Sequence, residues 1–197
     1  MSRRITLFPV ILPVAKAGHK LSGSEKVARL SRISREALRL SASKWDVTLG
    51  ELVKDENDVP CPFDGHYWSL THKSKYVAAV LSRDIVGIDI EEIKPRSKSI
   101  FSLVASDEEW DRAQDRSLDT FFRYWTAKEA TLKATGVGIG GLKACRVVSI
   151  PDEHHVVLDY RDHTFLVEQL YHKDHIVSVL KQGNEIEWII KENISYD

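Results

Sequence analysis

Two apolar runs about half the chain apart constrain the fold more than any other feature of this sequence. Tyr76-Val77-Ala78-Ala79-Val80-Leu81 is similar to His175-Ile176-Val177-Ser178-Val179-Leu180. Each is followed by a turn and a second apolar run, residues 85–90 and 186–190. Short apolar runs bounded by turn residues read as strands. A duplicated α+β unit leaves such an offset, and so does a chance likeness between two hairpins.

The 197 residues suit one domain or two small halves packed together. With 43% hydrophobic and 29% charged residues, the chain can bury a core. Residues 5–12 read as an edge strand that tolerates Pro9. The spacing of Val27, Leu30, Ile33, Ala37, Leu38 and Leu40 predicts a helix over 22–43, with Ser24 as its cap. Residues 54–65 form a loop, and 66–71, 76–82 and 85–90 are strands, with turns at 73–75 and at Arg83-Asp84. Lys94-Pro95-Arg96 closes this half. Asp107, Glu108 and Glu109 suit the first turn of a helix over 106–113. The clearest helix spans 120–134, with Phe121, Trp125 and Leu132 on its buried side, and the glycine-rich stretch after it stops it. Strands follow at 145–150, 155–160, 164–171, 176–180 and 186–190.

The net charge of −1 argues against nucleic-acid binding as the main theme. The charge is uneven, however. Lys16, Lys20, Lys26, Arg29, Arg32, Arg35, Arg39 and Lys44 face only Glu25 and Glu36 in the same stretch. That segment is either a solvated helix face or a surface for a polyanion or an acidic partner. Cys61 and Cys145 form no Cys-x-x-Cys pair, which fits free thiols in a cytoplasmic setting. Arg3-Arg4, the apolar run after it and Ala15-Lys16-Ala17 mimic a signal peptide, but Pro9 and Pro13 interrupt the run. No segment is long and apolar enough to predict a membrane span.

Chemistry concentrates in three stretches. In Val86-Gly87-Ile88-Asp89-Ile90-Glu91, strand alternation puts Asp89 and Glu91 on one face. Two carboxylates there repel unless solvent or a cation separates them, and Mg²⁺ favours such oxygen ligands. A strand end running into solvent is the plainer reading. In Trp125-Thr126-Ala127-Lys128-Glu129-Ala130-Thr131-Leu132-Lys133, a helix stacks Trp125, Glu129 and Lys133 on one face. That pattern is either a surface Glu–Lys pair beside a core tryptophan, or a metal oxygen with a phosphate-binding cation. Ser69-Leu70-Thr71-His72-Lys73 offers a strand-end histidine and lysine to an anion, although a lone histidine is more often a surface residue.

Taken together, Trp68-Ser69-Leu70-Thr71-His72, Gly87-Ile88-Asp89-Ile90-Glu91 and the Trp125–Lys133 stretch resemble the 4'-phosphopantetheinyl transferase superfamily. Its marks are a Gly-x-Asp strand and a later Trp-x-x-Lys-Glu-x-x-x-Lys helix, and the Thr-His element is similar to the surfactin-type (Sfp-like) branch. The resemblance implies an α+β fold made of a pseudo-two-fold pair of similar halves, 1–100 and 101–197, with the active site in the cleft between them. It implies transfer of phosphopantetheine from coenzyme A to a serine of an acidic acyl or peptidyl carrier protein, releasing adenosine 3',5'-bisphosphate. Asp89, Glu91 and Glu129 would hold Mg²⁺, and Lys133 would pair with the pyrophosphate. Thr71 and His72, with Arg29 or Arg35, would contact the 3'-phosphate. Glu129 or Glu109 would take the serine proton. A monomer in the cytoplasm, with no nucleic acid or membrane partner, would suffice.

Some positions depart from the family. Lys73 stands where relatives often have a second serine, and Asn57-Asp58-Val59-Pro60 lacks the lysine of a Gly-Lys-Pro turn. Lys54, Lys73 or the basic helix would then grip the 3'-phosphate. The chain is short for this branch, which implies a trimmed N-terminal half. A relative that binds CoA and Mg²⁺ as a scaffold without transfer is the alternative, and a Mg²⁺-dependent nucleotide hydrolase a third. Gly136-x-Gly138-x-Gly140 follows a helix and is no dinucleotide fingerprint. His154-His155 after Pro151 reads as a hairpin turn before it reads as a metal site.

Overall fold

A computed structural model describes residues 4–15 and 22–192. Lys16 and Lys20 of the basic segment, and most of the Ala15-Lys16-Ala17 stretch, lie outside the described residues.

The chain runs β1 (Thr6–Leu7), β2 (Val10–Pro13), α1 (Gly23–Ser43), β3 (Tyr67–His72), β4 (Tyr76–Ser82) and β5 (Ile88–Glu92). Three helices follow: α2 (Phe101–Val104), α3 (Asp107–Ala113) and α4 (Leu118–Thr135). The remainder is β6 (Arg146–Asp152), β7 (His155–Tyr160), β8 (His163–His172), β9 (His175–Leu180), β10 (Glu185–Ile186) and β11 (Ile189–Ile190). The fold is mixed α+β, as the sequence implies.

Two sheets carry it, in the orders β11-β2-β4-β3 and β5-β9-β8-β7-β6. The predicted hairpin from β4 through Arg83-Asp84 into the next strand does not form. β5 leaves for the other sheet and pairs antiparallel with β9, Asp89 opposite Ser178. The chain after β9 crosses back the same way, and β10 and β11 run parallel to β1 and β2.

The N-terminal strand also differs from expectation. β2 is an interior strand between β11 and β4. The carbonyls of Ile5, Leu7, Pro9 and Ile11 accept in turn from Glu185, Glu187, Ile189 and Lys191. Pro9 can accept but has no N–H to return a bond. The ladder breaks there into β1–β10 and β2–β11.

The layers follow from which faces are apolar. α1 covers one face of the first sheet, burying Leu30, Ile33, Ala37 and Leu38 against Val10, Leu12, Val77, Ala79 and Leu81. The other face of that sheet, with Ile11, Ala78 and Val80, meets Ile88, Ile90, Val177 and Val179 of the second. α4 lies on the far side, above Val156, Leu158, Val167 and Ile176. β4 and β9 are therefore buried on both faces, which is why neither alternates in sequence.

Helix ends follow their local chemistry. Ser22, not Ser24, caps α1 in a reciprocal box with Glu25. Val27 drops out of the apolar stripe at 59% exposure. Ser106 caps α3 in a box with Glu109. α4 ends on Gly136 in the left-handed region, φ 69°, a conformation that costs glycine nothing.

Candidate active site

The three stretches singled out in sequence converge where β3, β5 and α4 meet. A cavity of about 370 Å³ is lined there by Lys54, Thr71, His72, Asp89, Glu129 and Lys133, together with Lys73, Glu91, Trp125 and Ile139. A second cavity of about 540 Å³ continues from it, sharing Lys54, Leu70 and Lys133 and running along Val59, Pro60 and Gly136 to Gly138.

Gly87 sets the approach of α4 to β5. A Cβ there would lie 1.8 Å from the Ala130 carbonyl oxygen and 2.8 Å from the Ala134 nitrogen. Only a bare backbone lets the helix come this close, so the glycine before Asp89 is a packing requirement. The face of β5 opposite Ile88 and Ile90 then turns Asp89 and Glu91 toward α4.

Asp89 is buried, and its Oδ1 accepts from Lys133 Nζ at 2.6 Å and Thr71 Oγ1 at 3.0 Å. Lys133 also donates to the Ile88 carbonyl at 3.1 Å, which ties the end of α4 to β5. Across the seam, Ser69 Oγ accepts from Ile88 N at 3.1 Å, so β3 positions β5 although they belong to different sheets. Glu91 Oε1 accepts from Trp125 Nε1 at 3.1 Å and Lys73 Nζ at 2.7 Å. Asp89 Oδ2 and Glu129 Oε1 are buried with no hydrogen-bond partner.

Burial, then the Asp89 carboxylate, push the Glu129 pKa above its ordinary value, with Lys133 opposing. The His72 pKa is lowered, chiefly by burial, with Lys73, Lys133 and Lys54 adding to the effect. Neutral His72 is thus favoured beside three cations.

Two buried oxygens without donors, on neighbouring acids that repel each other, suit a small hard cation. Asp89 and Glu129 therefore fit a divalent ion. As the side chains stand, no group of three or more His, Cys, Asp or Glu among the described residues is close enough to hold one. The expected third ligand, Glu91, is taken by Trp125 and Lys73.

The alternative base Glu109 is placed elsewhere. It lines neither cavity, and its Oε1 accepts from Lys128 Nζ at 2.6 Å and Val147 N at 2.8 Å, while Oε2 accepts from Ser106 N. Burial would raise its pKa, but Lys128 and these backbone donors together hold it below the usual value. Lys128 is fully buried and also donates to the Val104 carbonyl at 2.6 Å. The Lys-Glu step in α4 thus points two ways, Glu129 to the cavity and Lys128 to an internal ion pair. Arg29 and Arg35, on α1, line neither cavity either. Arg29 donates to the Ala15 carbonyl at 2.8 Å, and Arg35 is exposed.

Sequence reasoning missed the internal partners: Lys128 for Glu109, and Trp125 with Lys73 for Glu91. The helical spacing of Trp125 and Glu129 was visible, but Glu91 comes from another element, and no local pattern announces the bond.

A family model described as "ACPS: 4'-phosphopantetheinyl transferase superfamily" matches residues 85–180. That stretch includes β5, α4 and β9, with Asp89, Glu91, Glu129 and Lys133. Residues 85–180, just under half of the chain, are thus similar to that superfamily. The chain is 30% identical over 141 residues to the "Putative 4'-phosphopantetheinyl transferase" of Haemophilus influenzae, covering 67% of this chain and 59% of that protein. It is 27% identical over 108 residues to the 4'-phosphopantetheinyl transferase of Bacillus subtilis, covering 53% of this chain and 48% of that one. It is 32% identical over 116 residues to the 4'-phosphopantetheinyl transferase AcpT of Escherichia coli O157:H7, covering 54% and 57% respectively. The chain thus spans between about half and three fifths of the length of these relatives. No helix among the described residues is long and apolar enough to cross a membrane.

Proposed function

We propose that this chain is a 4'-phosphopantetheinyl transferase, carrying phosphopantetheine from coenzyme A to a serine of an acyl or peptidyl carrier protein. The observation that carries the reading is the pair of partnerless buried oxygens, Asp89 Oδ2 and Glu129 Oε1, beside Lys133 in a stretch similar to this superfamily. Asp89 and Glu129 would hold Mg²⁺, which when bound offsets negative charge on pyrophosphate oxygens. Lys133 would add a second cation at the pyrophosphate. Thr71 and His72, at the end of β3, would stand near the 3'-phosphate, with Lys54 supplying positive charge at the same rim.

In the reaction the serine oxygen forms a bond to the β-phosphorus, and the bond from that phosphorus to the bridging oxygen breaks. Adenosine 3',5'-bisphosphate departs with the electron pair. The serine proton would go to Glu129, which lines the cavity, and not to Glu109, which is paired internally with Lys128.

A pseudo-two-fold arrangement of halves, with the site in the cleft between them, forms part of the proposal. Its support is order: β2-β4-β3 with α1 in one sheet corresponds to β5-β9-β8 with α4 in the other. Membership in the surfactin-type branch, a monomeric state, a cytoplasmic location and an acidic carrier complete it, the last supported by the Lys and Arg residues of α1.

The test is to incubate the full chain with CoA, Mg²⁺ and apo carrier proteins of fatty-acid, polyketide and peptide type, then to weigh the carriers. A gain of one phosphopantetheine on any of them supports the reading. No gain on all three classes, with intact CoA bound, would favour a scaffold, and cleaved CoA with unmodified carriers a hydrolase.

A further inference from the structure

The three acids of the site are not equivalent. Asp89 and Glu129 each keep a buried oxygen without a partner. Glu91 is satisfied by the protein itself. Lys73 Nζ and Trp125 Nε1 both donate to its Oε1, at 2.7 and 3.1 Å, and Arg96 lies 3.8 Å from Oε2. The Glu91 side chain is only 7% exposed, so these groups stand in for water around it. Asp89 also carries an ammonium, Lys133, on one oxygen, but its other oxygen is buried and bare, and a bare buried oxygen gains most from a cation.

Lys73 is held where it can do this. It lies just past β3, and its N–H donates to the Tyr76 carbonyl at 2.8 Å, which fixes the turn into β4. Its side chain is 36% exposed and reaches back over the cavity to Glu91. Lys133 cannot take its place, being bound to Asp89 and the Ile88 carbonyl.

We infer that Lys73 is a built-in counter-ion for Glu91, so that the site takes a divalent cation on two carboxylates, Asp89 and Glu129, with an affinity that Lys73 sets. The inference rests on the reading of this site as a divalent-cation site. Lys73 acts here through Glu91 and is a positioning residue. Removing its ammonium frees Glu91 Oε1 and takes away a positive charge that opposes the incoming ion. Both effects tighten binding.

The experiment titrates the full chain with Mn²⁺, without CoA or carrier, and follows free Mn²⁺ by electron paramagnetic resonance. An opposite charge at contact distance shifts such equilibria by about tenfold or more, so Lys73→Met should tighten Mn²⁺ about tenfold. Lys73→Arg should restore the original affinity. Asp89→Asn and Glu129→Gln should each weaken binding by about tenfold or more. Lys73→Met with Glu91→Gln removes both partners of the ion pair and should bind within about threefold of the parent, erasing the gain of Lys73→Met. Melting curves without Mn²⁺ identify any variant that fails to fold, and the Lys73→Arg and double-variant comparisons then decide. The inference is overturned if the double variant loses as much affinity as Asp89→Asn, if Lys73→Met leaves the affinity unchanged, or if no Mn²⁺ binds. The transferase reading fails separately: unmodified carriers alongside this Mn²⁺ pattern would sink that reading and leave the role of Lys73 standing.

Discussion

At the scale of single residues, the site is built from unmet electrostatic demand. Asp89 has one oxygen bound by Lys133 and Thr71 and the other bare. Asp89→Asn keeps the shape and removes the charge. Carrier modification should then fall by about a thousandfold or more, on the scale of losing a group that stabilises developing charge, with circular dichroism unchanged. Glu129 makes the opposite statement about stability. Its pKa is raised by burial and by Asp89, so the folded state holds its proton more tightly than the unfolded state. Above that raised pKa the charged form destabilises the fold, and the penalty is relieved as pH falls through it. Glu129→Gln should therefore raise the melting temperature by a few degrees at neutral pH without divalent ions. The difference should shrink as the pH is lowered toward the ordinary carboxylate range. Equal melting curves at neutral pH would contradict this.

Two predictions belong to the elements. α4 touches β5 closely because Gly87 has no side chain. Gly87→Ala must push helix backbone aside, and overpacking of this kind costs about 1–3 kcal/mol. The urea midpoint should drop accordingly, and carrier modification should fall with it because Asp89 and Glu129 separate. Lys128 and Glu109 hold α4 to α3 and β6 from within. Lys128→Ala leaves Glu109 as a buried unpaired charge, a change that costs about 3–5 kcal/mol. Adding Glu109→Gln should recover a good part of it, and denaturant titration of the single and double variants would reveal the coupling. Much at this scale was legible in sequence. The strands over 76–82 and 155–160 and the helix within 118–135 announced themselves through apolar spacing and a terminal glycine. What failed was pairing. Arg83-Asp84 looks like a hairpin turn, yet β5 crosses to β9, because Ile88 and Ile90 bury more fully between two sheets than at the edge of one. Pro9 suggests an edge strand, but it needs only its carbonyl for the parallel strand beside it. In the site, Asp89, Glu129 and Lys133 were legible through the family resemblance, since the spacing of each stretch alone left a plainer reading open. The engagement of Glu91 by Lys73 and Trp125 did not, since it depends on distances across three elements.

At the scale of the whole molecule, the seam between the sheets is closed at one end by histidines. Tyr76 of β4 meets the rings of His172 and His175 edge-on, at 5.0 and 4.9 Å. His175 is fully buried, with Nδ1 2.7 Å from Asp174. Lys75 bonds Asp174 and Glu92, linking both sheets, and holds the Asp174 pKa down at about 2. Burial lowers the pKa of both histidines. Lowered histidines stay neutral in the folded chain while the unfolded chain protonates below about 6.5, so their contribution is lost as pH falls from there. Glu129, whose pKa is raised by burial and Asp89, works in the opposite sense. The urea midpoint should thus decline from pH 7.5 to 5.5, and His175→Gln should flatten that slope; a slope unchanged by the substitution would refute the assignment.

The crossed strands bear on how the chain is made. The first sheet has β2 in place early, but the strand that covers its outer edge, β11, is among the last residues described. During synthesis that edge waits unpaired while everything between β2 and β11 is made. A sheet built this way gains little by folding its early strands first, and its exposure to wrong neighbours lasts until β11 emerges.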